Sequence, residues 1–537
     1  MNGIDTHTTL RKAMNIIFTM ASEDKTNNIA PSPHMPAAKG IEKYGEAAIA
    51  TMIKEFKQLV DRAFPGKPVV AAINNSELTE NDKKRALDAV NLIKVKRSGT
   101  VKGRTCANGS KEQYYLPEGD SVASPTASIE AIVSTLLIDI FEGRDVAIYN
   151  IPGAYLHAEM PEEHRVILKI KGKFVDIMCR VNPEFQKHVL IERGRKVLYL
   201  QVLRALYGCI RSALLWYNLF SQTLEKEGYV INPYDRCVAN KTIDKKQCTM
   251  VWYVDDVKIS HVDLNKVTEQ INMIEDKFGK LTITRGDKLG FLGMDIKLNR
   301  KNKTVELSMK NHIEEAIEMF GEELKGGITS PGYQDLFTTF DGLSPELNDK
   351  KSKVFHSVTA KLLFITKRAR PDIETCVSYL TTRVAKSNDR DWCKLKRVLN
   401  FLQHAIDDPR IIGASSLLDL YTWIDASYAV HPNMQGHTSG VMSYGTGVVH
   451  AQSGKQKLNV KSSTECKLVG TNEYCPFNIW QMMFMEEQGY PLRKNILYQD
   501  NQSAMRMQIN GRNSCTGNFR HVHIRYFLSK IELTKGK

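Results

Sequence analysis

The side chains with the clearest capacity for chemistry are two adjacent carboxylates, Asp255 and Asp256, set between the apolar runs Val251-Trp252-Tyr253-Val254 and Val257-Lys258-Ile259-Ser260. Neighbouring anions held at one point call for cations. Two Mg²⁺ ions about 3.5 to 4 Å apart can clamp the attacking and leaving oxygens of a phosphoryl displacement, so the pair fits nucleotidyl transfer. Taken alone, the pair favours the reading as an exposed Asp-Asp turn. A cationic counterpart lies in Lys94-Val95-Lys96-Arg97-Ser98-Gly99-Thr100-Val101-Lys102-Gly103-Arg104-Thr105. Cations alternating along two strands can grip phosphates, and a solvated charged hairpin is the competing reading. Two further carboxylates, Asp425 and Asp500, each close an apolar run, Tyr421-Thr422-Trp423-Ile424 and Leu497-Tyr498-Gln499. A single Asp at such a place is ordinarily a helix cap.

Val, Trp, Tyr and Ile suit strands and Asp does not, so residues 251–260 are expected to form a β-hairpin with both carboxylates at its bend. Ahead of it, Ile49, Met52, Ile53, Phe56 and Leu59 recur at helical spacing and predict an amphipathic helix from Ile41 to Asp61. Thr79 caps an expected helix from Glu80 to Lys94. Pro31, Pro33 and Pro36 mark residues 1–40 as a mobile segment. Behind the hairpin, helices are expected over 264–278 and 392–404, and Ser462 to Glu465 has the spacing of a capping box.

The composition sets outer bounds. A chain of 537 residues with 42% hydrophobic and 25% charged residues can bury several cores. The 74 Lys+Arg against 60 Asp+Glu leave +14, which suits a polyanionic partner. The ten cysteines never fall as Cys-x-x-Cys, which argues against a zinc knuckle or a disulfide framework and for reduced thiols inside a cell. No run of 18 apolar residues occurs, so no membrane span is expected.

Tyr253-Val254-Asp255-Asp256 resembles the Tyr-Val-Asp-Asp box of reverse transcriptases, and the neighbouring motifs follow the order of the copia-type retrotransposon family. Asn150 with Ala154-Tyr155-Leu156 resembles its first catalytic motif, and Leu206-Tyr207-Gly208 through Trp216-Tyr217 its nucleotide-pocket block. Phe291-Leu292-Gly293 resembles its primer-positioning hairpin, and Arg368-Ala369-Arg370-Pro371-Asp372-Ile373 its thumb and connection. The last 120 or so residues, with Asp425, a capped helix and Asp500 in that order, resemble its ribonuclease H domain.

The resemblance implies an α+β fold: a right-hand polymerase of fingers, palm and thumb, a connection, and a ribonuclease H-like α/β domain. The expected boundaries are 41–330 for fingers, palm and the start of the thumb, 331–414 for thumb and connection, and 415–537 for the hydrolase-like part. It implies RNA-directed DNA synthesis, with Asp255 and Asp256 as catalytic metal ligands, Asn150 at the third catalytic position, and Lys102, Arg104, Tyr207, Gly208 and Tyr253 meeting template or nucleotide. Phe291, Leu292 and Gly293 would position the primer, and Asp425 and Asp500 would hold metals for RNA-strand hydrolysis. Mg²⁺ is the implied cofactor; an RNA template, a DNA primer, an RNA–DNA hybrid and deoxynucleoside triphosphates are the implied partners. No capsid-like, protease or integrase segment is present, so a piece of a longer polyprotein or a decayed insertion is expected.

Three positions depart from the family pattern. Asn150 stands where an aspartate is expected, Lys467 where a glutamate is expected, and His523 where the fourth hydrolase acid is expected. Glu465 cannot replace the acid missing at 467, because on a helix it points about 200° away. Imidazole is a poor Mg²⁺ ligand, so His523 does not restore the fourth acid. Lys467 can instead fill the vacated metal position. Both chemistries are therefore expected to be impaired, and a nucleic-acid-binding remnant without catalysis is the alternative.

Overall fold

A computed structural model describes residues 35–61, 68–95, 101–115 and 122–510, the side chains of Gln113 and Asn510 excepted. His523 lies outside these residues, as do 1–34 of the segment expected to be mobile. Residues 35–40 are ordered: Met35–Pro36 pairs as a strand, and helix α1 (Ala37–Val60) begins four residues ahead of the expected Ile41. Ala37 and Gly40 are buried, so the helix reaches back to cover them. Gly45, at φ 52°, breaks it into two pieces.

The helix expected over 80–94 is corrected. Thr79 does cap a helix, with a reciprocal bond to Asp82, but the helix ends at Arg85. Strand β1 (Leu87–Val95) follows and pairs antiparallel with β2 (Val101–Ala107), joining the cationic stretch to a seven-stranded sheet.

The central sheet is built on helix α2 (Ile129–Glu142) and strand β3 (Asp145–Asn150), with ten consecutive buried residues, Ala131–Ile140, on the helix. A 3-10 turn, Ala154–His157, follows β3. Helix α3 (Ser212–Lys226) packs Trp216 and Phe220 inward. Strands β4 (Lys246–Tyr253) and β5 (Asp256–His261) form the expected hairpin, and β5 lies between β4 and β3 in a six-stranded sheet. Helix α4 (Leu264–Phe278) has the expected limits.

Strands β6 (Lys288–Phe291) and β7 (Met294–Asn299) make a second hairpin. Helices α5 (Lys310–Phe320), α6 (Asp349–Arg368), α7 (Glu374–Thr381) and α8 (Asp389–His404) follow. Strand Thr304–Ser308 pairs with both β7 and Arg410–Ala414, and Arg410–Ala414 pairs with Gly445–Thr446. One sheet thus runs across the positions 330 and 414.

The last part contains β8 (Asp419–Ser427), β9 (His437–Ser443), β10 (His450–Lys455), α9 (Ser463–Glu487), β11 (Lys494–Tyr498) and α10 (Gln502–Asn510). The sheet order is β10-β9-β8-β11, with β8 and β11 parallel across the α9 crossover. Helix α9 is bonded to the central part: Trp480 Nε1 donates to Tyr234 O at 3.0 Å and Gln481 Nε2 to Ser134 Oγ at 2.9 Å. The architecture is α+β. No helix among the described residues is long and apolar enough to cross a membrane.

Candidate functional site

The bend of the first hairpin is tighter than expected. Tyr253 pairs directly with Asp256, leaving only Val254 and Asp255 in the turn, so Asp256 belongs to strand β5. Val254 has φ 60°, a conformation that a β-branched residue adopts at a cost of about 1–3 kcal/mol. Two bonds hold it there. Trp216 Nε1 donates to Val254 O at 2.6 Å, and Ile151 N donates to Asp255 O at 2.9 Å. The core of α3 and the end of β3 therefore aim the two carboxylates.

Asp256 stands opposite Asn150 in the β3–β5 ladder, and Asn150 Nδ2 donates to Asp256 Oδ1 at 3.1 Å. Burial pushes the Asp256 carboxyl above its ordinary range; the Asn150 amide opposes this and the Asp255 charge adds to it. Asn150 and Asp256 thus meet side chain to side chain, with the Asp255 charge acting on Asp256.

The cationic hairpin reaches the same place. Arg104 lies 4.2 Å above the ring of Tyr207, whose ring centroid is 4.7 Å from that of Tyr155. Burial raises the Tyr207 phenol, with the Asp255 charge adding and the Arg104 charge opposing. The same forces push Tyr155 up to about 12, chiefly through burial. Gly208, at φ 92°, is required here: a Cβ would sit 2.0 Å from Ala107 O, while Ala107 N donates to Tyr207 O at 2.7 Å. Lys102 and Arg104 are exposed on β2.

Two contributors were not singled out in the sequence. Tyr155 sits inside a quoted motif, and its packing on Tyr207 shows only in three dimensions. Glu55, on α1, accepts from Thr105 N at 2.9 Å, and burial raises its carboxyl against that bond and the charges of Arg104 and Lys102. An acid facing the polar side of an otherwise apolar-patterned helix was the only available signal.

In the second hairpin Leu292 (φ 49°) and Gly293 (φ 80°) form the turn, and a Cβ on Gly293 would meet His312 Nε2 at 2.8 Å. Phe291 is 2% exposed and belongs to the core beneath, which leaves Leu292 and Gly293 to face a ligand.

At the other acid pair, Lys467 Nζ donates to Asp425 Oδ1 at 2.6 Å and to Asp500 Oδ1 and Oδ2 at 2.5 and 2.7 Å. Its bond lowers the Asp425 carboxyl, and against the cost of burial the two acids raise Lys467. The carboxylates are 67% and 68% exposed, so the bridge contributes at most about 1 kcal/mol to folding. Glu465 is turned away, accepting from Lys461 N at 2.8 Å.

The two acid pairs differ as cation sites. Asp255 and Asp256, half-buried, suit a hard cation that also binds substrate phosphates, whereas Asn150 points an amide donor at Asp256. Asp425 and Asp500 do not fit a metal, because the ammonium stands between them. At about 4 Å it would repel a divalent ion by about 2 kcal/mol even at the dielectric of water, more than tenfold in affinity. Among the described residues no group of three or more His, Cys, Asp or Glu side chains converges as a metal-binding set.

Residues 82–331 match the family model of a reverse transcriptase (RNA-dependent DNA polymerase). These residues form a reverse transcriptase domain, and the similarity to transposon Pol polyproteins extends beyond them. The chain is 23% identical over 453 residues to the retrovirus-related Pol polyprotein from transposon TNT 1-94 of Nicotiana tabacum, covering 82% of this chain and 32% of that one. It is 22% identical over 483 residues to the transposon Ty1-MR1 Gag-Pol polyprotein of Saccharomyces cerevisiae, covering 84% of this chain and 26% of that one. The chain thus spans a third or less of the length of these copia-type relatives. A foamy viral protease-reverse transcriptase solved in complex with double-stranded DNA is similar at 11% identity and a TM-score of 0.47, over 94% of this chain and 82% of that chain. The matched residues contain the cationic hairpin, the hairpins turning at 254–255 and 292–293, α3 and the Asn150 strand.

Proposed function

We propose that the chain is an RNA-directed DNA polymerase of a copia-type retrotransposon, weakened at the metal site, followed by a ribonuclease H-like domain that does not hydrolyse RNA. Residues 41–330 are read as fingers, palm and the start of the thumb, 331–414 as thumb and connection, and 415–537 as the ribonuclease H-like part. The observation that carries the reading is the pairing of Asp256 with Asn150 across adjacent strands, beside Asp255, whose charge reaches Tyr207 beneath Arg104 of the cationic hairpin. Asp255 and Asp256 would hold Mg²⁺, which supplies charge stabilisation of the transferring phosphoryl group. Arg104 and Lys102 bind phosphates of template or incoming deoxynucleoside triphosphate, and Tyr207 and Tyr155 wall the pocket. Leu292 and Gly293 bring the primer close to the backbone.

A non-catalytic nucleic-acid-binding remnant is the second reading, favoured by the Asn150 amide at Asp256 and by Lys467 between Asp425 and Asp500. Extension of a DNA primer on an RNA template in Mg²⁺, by the chain and by Asn150→Asp, separates the two. Slow extension that rises steeply in Asn150→Asp supports the polymerase; no extension by either supports the remnant.

A further inference from the structure

Four cations surround the end of α6 and the segment that follows, and three are saturated. Lys367 Nζ bonds Glu374 Oε1 at 2.5 Å and Gln452 Oε1 at 2.7 Å. Arg370 takes both oxygens of Asp372, its Nη2 at 2.6 Å from Oδ2, and donates to Ala405 O at 2.8 Å. Arg410 gives its three donor nitrogens to the carbonyls of Val448, Arg368 and Val449. Arg368 differs. Its Nη1 donates to Phe364 O at 3.2 Å, its buried Nε has no partner, and no carboxylate within ion-pair distance faces it among the described residues.

The guanidinium also lies on a chain of contacts leading to the second hairpin turn. It lies 3.7 Å above the ring of Phe364, Phe364 meets His312 edge to face at 5.6 Å, and His312 abuts Gly293 of the second hairpin. The charges of Tyr253, two residues before Asp255, and of Glu130 partly offset the burial that lowers the guanidinium to about 10. A largely buried cation with no carboxylate in ion-pair distance among the described residues, packed toward the primer turn, is short of one phosphate.

We propose that Arg368 is a primer-binding residue that pairs with a backbone phosphate of the primer strand just behind its 3′ end. The proposal rests on the polymerase reading and assigns one contact within it. The competing structural role is a cap for the last carbonyls of α6, which the bond to Phe364 O would serve.

The test uses the full-length chain and a fluorescein-labelled DNA primer annealed to an RNA template, with affinity read by anisotropy across a salt series. In Arg368→Gln the slope of log K against log salt should fall by about one contact, about 0.9 if the hybrid behaves as B-DNA does. Arg368→Lys should keep the slope. Neutral methylphosphonate linkages at the last positions of the primer should weaken binding by the parent and leave Arg368→Gln unaffected. The melting temperature of Arg368→Gln should not fall. An unchanged slope in Arg368→Gln, or a lowered melting temperature with equal methylphosphonate sensitivity, overturns the assignment while leaving the polymerase reading in place. Absence of salt-dependent binding by the parent overturns both.

Discussion

Restoring an acid at position 150 should trade stability for metal affinity. In the parent, Asn150 Nδ2 donates to Asp256 Oδ1 at 3.1 Å, a bond to a charged acceptor of the kind that contributes about 1.5–3 kcal/mol. In Asn150→Asp that bond is lost and two like charges face each other across paired strands, costing about 4 kcal/mol at about 4 Å and an effective dielectric near 20. The Asp256 carboxyl is already raised by burial, so the pair should share a proton, its folded-state value lying above that of the unfolded chain. The folded variant then binds more protons than the unfolded one, and its stability falls as pH rises through that window. Metal-free Asn150→Asp should therefore melt below the parent at pH 8 and approach it at pH 5. Mg²⁺ should reverse the loss, by about 2.7 kcal/mol at a hundredfold excess over its dissociation constant, and shift the parent far less. Differential scanning calorimetry at both pH values, with and without Mg²⁺, reads all four quantities. Equal melting of the metal-free proteins at pH 8, with equal Mg²⁺ shifts, would refute the claim that residue 150 faces a cation beside Asp256.

Lys467→Glu should create a Mn²⁺ site with Asp425 and Asp500, visible by titration calorimetry, where the parent binds none; equal heats in both would place the metal elsewhere. Lys258 is fully buried against Asp139, whose second cation, Arg144, stands 4.0 Å away, so Lys258→Met should destabilise the fold by up to about 3 kcal/mol by leaving that acid with the longer contact alone, and adding Asp139→Leu should restore only part of it in denaturant melts, since Arg144 also loses a partner. Glu55→Gln removes a negative charge beside Arg104 and Lys102, so binding of a primer–template should tighten modestly at low salt and converge with the parent at high salt, as anisotropy would show.

The catalytic hairpin was legible because β-formers flank an Asp pair that disfavours strand interiors, and the structure corrects only which residue stands in the bend. Its partner Asn150 was placed by motif order alone, since no local pattern joins residues 106 positions apart. The stretch 86–95 was misread because Val90, Leu92, Ile93 and Val95 satisfy helical and strand spacing alike, and pairing with residues 101–107 decides it. The seam that fixes α9 to the centre was not legible at all. Tyr490 donates to Glu142 at 2.5 Å, and Gln247 Nε2 donates to Gln488 O at 3.0 Å. Isolated polar residues of this kind carry no period. They become informative only once two separately patterned parts are in contact.

The two described departures from the family pattern share a physical consequence. Carboxylates gathered for metals repel one another, and a metal-free fold bears that repulsion as a cost. At 150 an amide turns the repulsion into a hydrogen bond, and at 467 an ammonium turns it into a bridge between two acids. Neither side chain is needed by a core, for both lie at the ends of elements whose packing is set by buried neighbours such as Tyr149 and Leu468. Each departure therefore removes like-charge repulsion from its site while leaving the scaffold intact, and on the proposed function it would exchange activity for stability. It follows that the double variant Asn150→Asp, Lys467→Glu should be the least stable metal-free form. The losses should add, because the two sites share no described contact, and each should be recovered separately as its own metal binds.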